Sequence, residues 1–257
     1  MTTQELEIKA KSVRKRIFDF KTRSGVGHLA SCLSIVDALV SLYHDDNTRF
    51  NHKKDKLIFS KAHGSPAVYP ILTDLGYFDE DELNKYCTPE GILRLHSDST
   101  IPGCHFVGGS LGNNIGYASG IAYKANFNVY VILGDAELYE GAVWESLMFI
   151  AHHKMNNMHL IVDRNQLGIL GKTEELLKIE PLKEKFESFG FYTNQIDGHN
   201  FNEIKNEFSQ DNSGGPKCTI LNTVKGKGVS YMEDKWRYHT IIPKDENLIK
   251  QGREELS

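Results

Sequence analysis

The sequence predicts an α/β protein: one doubly wound, mostly parallel sheet with helices on both faces. Three observations predict it. Short β-branched apolar runs alternate along the chain with longer stretches of helical periodicity, the order that builds parallel sheets. The runs at 129–133 (VYVIL) and 160–162 (LIV) are apolar at every position, as in strands buried on both faces. Polar residues follow both runs, Gly134-Asp135 and Asp163-Arg164-Asn165, at the carboxyl strand ends where open α/β sheets hold ligands.

Each element has its own reason. Residues 6–21 set Ile8, Val13, Ile17 and Phe20 among charges at helical spacing, and the helix stops at the glycine-punctuated loop Ser24-Gly25-Val26-Gly27-His28. A second helix over 31–43 has Leu33, Val36, Leu39, Val40 and Tyr43 on its apolar side. Gly25 to Ala30 match the GxGxxA of dinucleotide loops, but the segment before them reads as helix. The loop is therefore read as one that presents His28. A strand over 56–60 runs into Lys61-Ala62-His63-Gly64-Ser65-Pro66, with Pro66 suited to the first turn of a helix reaching residue 75. Asp79 caps a short helix to residue 86. The stretch 88–109 is irregular, holds two prolines and four glycines, and carries His96 and His105; so long a segment of this kind is usually functional or mobile. Gly109-Ser110-Leu111-Gly112 opens a helix over 113–125 lined with small residues.

The central unit is strand 129–133, helix 140–154 with Val143, Leu147, Ile150 and Ala151 on one face, and strand 160–162. Asp135 and Asn165 then fall about one strand spacing apart. A carboxylate and an amide oxygen there suit a hard cation such as magnesium, or serve as two ordinary loop caps. Beyond lie a helix at 180–189, a strand at 192–196, a turn at 197–200, a helix at 202–208, a loop at 211–216 and a strand at 218–224. From Lys225 the chain turns polar and irregular, with Trp236 and His239 inside it. Residues 1–257 thus read as one domain with an irregular tail from about 229.

Composition narrows the function classes. A chain of 257 residues that is 40% hydrophobic and 25% charged buries a substantial core. The net charge of -4 gives no general reason to expect nucleic acid or a membrane as partner. The charged start, MTTQELEIKAKSVRKR, is no secretory signal, and no apolar run is long enough to span a bilayer. Cys32, Cys87, Cys104 and Cys218 are widely spaced, so scattered reduced thiols and a cytoplasmic location are expected. Of the eleven histidines, His44, His52, His152, His153, His159 and His199 read as surface or structural. Gly168 to Thr173 superficially match a phosphate-binding loop, but the glycine spacing is too short for one.

Taken together, these segments resemble the thiamine diphosphate-binding half of transketolase, and in particular the separate amino-terminal subunit of split transketolases. The resemblance rests on Ser24-Gly25-Val26-Gly27-His28, on Phe59 through Ala67, on Gly109-Ser110-Leu111-Gly112, and on Gly134-Asp135-Ala136-Glu137 with Glu140-Gly141 and Trp144-Glu145. Asp163-Arg164-Asn165 and Val224 through Glu233, with Trp236 and His239 beyond, complete it. These stand in the family's order over nearly the whole chain.

The resemblance implies roles. Asp135, the Asn165 side chain and the Leu167 carbonyl would hold Mg2+ or Ca2+, and the metal would grip the diphosphate of the thiamine diphosphate cofactor. Gly134, Glu137 and the Ala136 amide belong to that cofactor-binding turn. His63 and His239 would bond the diphosphate or the substrate, and Gly109 and Leu111 would pack on the cofactor rings. His28 would lie at the reacting carbonyl, with His96, or else His105, as a further channel histidine. Glu140 and Glu145 match catalytic carboxylates that link paired sites at a dimer interface, although Glu140 could simply cap its helix. The implied activity moves a two-carbon ketol unit between a ketose and an aldose, as sugars or sugar phosphates. Alternatives are a deoxyxylulose-phosphate synthase-like or 2-oxo acid dehydrogenase-like component, or a non-catalytic scaffold.

A partner is implied as well: a C-terminal transketolase subunit with the pyrimidine-binding domain would supply the activating glutamate. A homodimer of this chain inside a heterotetramer is the natural closed assembly. Two departures from the family stand out. Ala136 replaces the usual glycine, which is strained if φ is positive there and harmless if it is negative. Leu29-Ala30-Ser31 replaces glycine-rich sequence after His28 and would reshape the pocket.

Overall fold

The computed structural model of the chain describes residues 1–105, 108–211 and 214–257. Positions 106 and 107 of the irregular stretch, and 212 and 213 of the 211–216 loop, lie outside the described residues.

Helix α1 (Thr3–Ser24) starts at a reciprocal cap between Thr2 and Glu5 and ends where Gly25, at φ 67°, turns left-handed. Its buried stripe is Leu6, Ala10, Val13, Ile17 and Phe20; Ile8, expected inward, is exposed. The helix expected over 31–43 is two pieces, α2 (Leu29–Leu33) and α3 (Val36–His44). The break falls at Ser34-Ile35, where the Ser34 hydroxyl donates to Asp163 Oδ2 at 2.7 Å. Strand β1 (Lys56–Phe59) leads through a tight helical turn, Ala62–Val68, into α4 (Tyr69–Asp74). Pro66 therefore sits inside that turn, and Pro70 takes the first-turn position of α4. Asp79 caps as expected, accepting from the Asp81 amide at 2.8 Å.

Next come α5 (Asn113–Ala122), β2 (Val129–Gly134), α6 (Gly141–His152), β3 (Met158–Arg164) and the short α7 (Thr173–Leu176). After them follow α8 (Leu182–Ser188), β4 (Tyr192–Asp197), α9 (Phe201–Ser209) and β5 (Lys217–Asn222). The expectation of an irregular tail is corrected. Glu246–Glu255 forms α10, capped by Asp245, and its Gly252 packs so tightly on Phe18 of α1 that an added Cβ would meet that ring at 2.5 Å.

Among the described residues, five strands form one sheet in the order β1-β2-β3-β5-β4, every pairing parallel. The two-residue strand period splits the core in two. Leu57, Phe59, Tyr130, Ile132, Ile161 and Leu221 point to one face, under α1 to α4 and α9. Ile58, Val129, Val131, Leu133, Leu160, Val162 and Ile220 point to the other, under α5, α6 and α8. This is the doubly wound sheet read from the sequence, and it explains why Val129–Leu133 of β2 and Leu160–Val162 of β3 are apolar throughout. Their register pairs Gly134 with Asp163, which brings the two polar strand ends side by side. Among the described residues no helix is long and apolar enough to cross a membrane.

Candidate active site

At the carboxyl ends of β1, β2 and β3 a cleft of about 390 Å³ opens. It is lined by Asp135, Asn165 and Leu167 and by His28, His63, His96 and His239. Gly109, Leu111, Gly134, Ala136 and Glu137 line it too. Every residue expected at the cofactor or metal, from His63 to His239, is thus brought to one place.

The histidines form a cluster. The His28 ring centroid lies 5.2 Å from that of His63, 5.3 Å from His239 and 6.2 Å from His96, and His63 and His239 are 5.1 Å apart. Burial, reinforced by Lys21, His96, Lys225 and Lys61, holds His28 at about 4; burial and Lys225 hold His239 at about 3. His63 and His96 are lowered chiefly by burial. All four are neutral imidazoles at pH 7, able both to donate and to accept. His28 Nδ1 and His96 Nε2 are buried without a partner. His105 does not face the cleft; it lines a small separate cavity with Tyr43, Phe59 and Cys104. Between the two channel candidates, His96 is the one in the cleft.

In the same cleft, Asp135 Oδ1 accepts from the Ala136 amide at 2.7 Å, and Oδ2 accepts from the Gln166 amide and from Arg164 at 3.2 Å. Burial and the nearby Asp163 raise its pKa against the pull of Arg164 and Lys225. Asn165 Nδ2 donates to Asp163 Oδ2 at 3.1 Å, which turns its oxygen the other way, toward the Leu167 amide. Among the described residues no three His, Cys, Asp or Glu side chains gather as a metal cluster. A cation at Asp135 would need amide, carbonyl and outside oxygens to complete it.

Ala136 lies in a short right-handed helical turn, Ala136–Tyr139, and is not among the described residues with positive φ. Its methyl group is unstrained. Leu29 and Ala30 point into the main core, fully buried, and stay out of the cleft wall. Glu137 borders the cleft but spends its carboxylate inward: it accepts from the Ser60 hydroxyl, from the Gly112 amide at 2.8 Å and from the Gly134 amide at 3.0 Å. It fastens the 109–112 loop to the end of β2. Glu140 and Glu145 are exposed and outside the cleft; Glu140 is at the cap position of α6 without a side-chain cap bond, and Glu145 borders a shallow groove between α5 and α6.

Sequence reasoning missed two lysines. Lys61, fully buried, is bonded to Asp163, which also accepts from Ser34 and Thr223. Lys225 donates to the Leu167 carbonyl at 2.7 Å and to His239 Nδ1 at 2.8 Å, and burial followed by Lys61 lowers it to about 8. The signal was present: Lys61 precedes His63 by two positions on the same turn, and Lys225 opens the Lys-Gly-Lys-Gly segment.

Residues 7–257 match the family model described as transketolase, thiamine diphosphate binding domain. The chain belongs to this transketolase family. It is 34% identical over 256 residues to a 6-deoxy-6-sulfo-D-fructose transketolase subunit of Clostridium sp. (strain MSTE9), covering 94% of this chain and 93% of that one. It is 33% identical over 269 residues to an apulose-4-phosphate transketolase subunit of Actinobacillus succinogenes, covering 100% and 97%. Against human transketolase it is 31% identical and covers 98% of itself but 42% of the relative. The crystal structure of Campylobacter jejuni transketolase superposes with a TM-score of 0.88 at 26% identity, over 100% of this chain and 43% of that one. The chain thus spans nearly all of the named subunits and less than half of the single-chain transketolases.

Proposed function

We propose that this chain is the amino-terminal, diphosphate-and-metal half of a transketolase whose pyrimidine-binding half is a separate polypeptide. One observation carries the reading: Asp135, Asn165 and Leu167, all with oxygen donors, line the same cleft as four neutral histidines. The donor set is all oxygen, as magnesium or calcium requires. Two protein cations already lie against it, the Lys225 ammonium on the Leu167 carbonyl and the Arg164 guanidinium on Asp135. Both support a cation-binding character. In this reading Asp135, Asn165 and Leu167 hold the metal and, through it, the diphosphate, with Gly134 and the Ala136 amide beside them.

Thiamine diphosphate, when bound, supplies the nucleophilic ring carbon that carries the two-carbon ketol unit. The chain's own side chains do the rest. His28 and His96, each with a free buried nitrogen, orient the donor and acceptor sugars and hold or relay the hydroxyl proton. His63 and His239 bond the diphosphate or the sugar hydroxyls. Gly109 and Leu111 form the floor under the cofactor rings. Glu140 and Glu145, exposed on α6, suit a contact with a second copy of this chain. The activating glutamate comes from the partner C-terminal chain, and two copies of each chain form the heterotetramer. The four free cysteines suit a reducing, cytoplasmic location.

The test is cofactor-induced stabilisation of the full chain mixed with its partner. Thiamine diphosphate with magnesium should raise the melting temperature, and ketol transfer from a ketose phosphate to an aldose should follow. Asp135→Ala should abolish the stabilisation while His152→Ala leaves it intact. No stabilisation at saturating cofactor would sink the proposal.

A further inference from the structure

Arg164 does more than end β3. Its side chain is 3% exposed, and each of its N–H groups finds an oxygen. Nη1 donates to Asp135 Oδ2 at 3.2 Å and to Thr173 Oγ1 at 2.6 Å. Nη2 reaches Glu174 at 3.1 Å and Glu180 at 2.9 Å, and Nε reaches Glu180 at 3.0 Å. These partners divide into two groups. Asp135 stands at the end of β2, on the rigid floor of the sheet. Thr173, Glu174 and Glu180 belong to the segment after Asn165, which forms one lip of the cleft and carries the Leu167 carbonyl. The lip is exposed at Ile169, Leu170 and Leu176, 53%, 76% and 46%, while its base is also held by the Gln166 amide on Asp135 and by Lys225 on the Leu167 carbonyl.

We propose that Arg164 is the positioning residue of the cation site, its guanidinium fixing the Asp135 carboxylate and the Leu167-bearing lip in the relative placement that lets their oxygens share one ion. This rests on the reading of Asp135 and Leu167 as metal ligands. The guanidinium suits the task because it is flat, permanently charged and forked, so it serves oxygens from two segments at once. Closure is tightened around it: the Thr173 amide donates to the Gln166 carbonyl at 3.0 Å, and the Tyr139 hydroxyl donates to the Thr173 carbonyl at 2.7 Å.

Competition and positioning have opposite signs, so an experiment decides between them. If Arg164 were only a cation competing for Asp135, its removal would strengthen metal binding. If it positions the ligands, removal weakens it. Terbium chloride is the probe, because terbium takes oxygen ligands and its luminescence is sensitised by a nearby tyrosine such as Tyr139, which borders the cleft. In the full chain, Arg164→Met should raise the terbium concentration for half-saturation at least tenfold. Arg164→Lys, which keeps the charge but loses the fork, should fall between Met and the wild type. A folded Arg164→Met chain that binds terbium as well as or better than the wild type would overturn the proposal. Should the Met variant fail to fold, Arg164→Lys binding like the wild type overturns it equally. If the wild-type chain binds no terbium while Asp135→Ala melts normally, the metal reading itself fails and takes this role with it.

Discussion

Asp163 is fully buried and accepts from Lys61, from Ser34 at 2.7 Å, from Thr223 and from Asn165 at 3.1 Å. Burial works against its charge, yet Lys61 and these hydrogen bonds hold its pKa below the usual carboxylate value. Asp163→Asn keeps the shape and one accepting oxygen but removes the charge, leaving the Lys61 ammonium buried and uncompensated. Breaking one half of a buried ion pair costs about 3–5 kcal/mol. In a chain of this size each kcal/mol moves the melting temperature by about 2–4 °C, so a fall of roughly 6–20 °C is expected. The assay is ligand-free thermal denaturation at neutral pH, followed by circular dichroism. The double variant Lys61→Met with Asp163→Leu should recover most of the loss, since an apolar pair of similar volume leaves no charge unpaired. A single-variant fall of less than about 2 °C, under ~1 kcal/mol by the same conversion, would refute the reasoning. So would a double variant no more stable than the single one.

Three further outcomes are expected. The cluster histidines should make the fold acid-labile. Unfolded histidine titrates near 6.5, whereas His28 does so at about 4 and His239 at about 3. Between those values the unfolded chain binds more protons, so stability should fall as pH drops below about 6.5; melting curves from pH 7.5 to 4.5 should slope less in His28→Gln. Ala136→Gly should leave cofactor affinity within about twofold and cost roughly 0.5–1 kcal/mol of stability, because φ at 136 is not positive; a large affinity gain in calorimetry would contradict that. Gly112→Ala should destabilise the chain and loosen the 109–112 loop, since φ there is 82° and an added Cβ would sit 2.6 Å from that of Glu140; unchanged melting would rule this out.

Much of the fold was legible because the sheet is covered on both faces. Strands such as 129–133 then carry no polar residue to obscure them, and their ends show up as abrupt polarity. Helix α10 was not legible for the opposite reason. It is rich in charge and its buried contact is through Gly252, so its composition resembles a solvated tail. The break between α2 and α3 was equally hidden, since it answers to a hydrogen bond with Asp163, distant in sequence. In the site, Asp135, Asn165 and the histidines stood out by residue type at strand ends and glycine loops. Lys61, Lys225 and Arg164 did not: nothing in composition separates a buried, paired cation from the many exposed ones. What identifies them is the company they keep, and that emerges only when four strand ends meet.

The placement of Asp135 at the end of β2 has a consequence for how the cleft moves in time. Strands β2 and β3 are interior in the sheet and layered with helices on both sides, so their amides open to exchange only with unfolding of the whole domain. In the lip, Thr173 and Ile179 are buried, whereas the tip at Ile169 and Leu170 is exposed and belongs to the fast-opening end of the same spectrum. The floor of the site is thus its still part, and the exposed tip of the lip is the part free to open first.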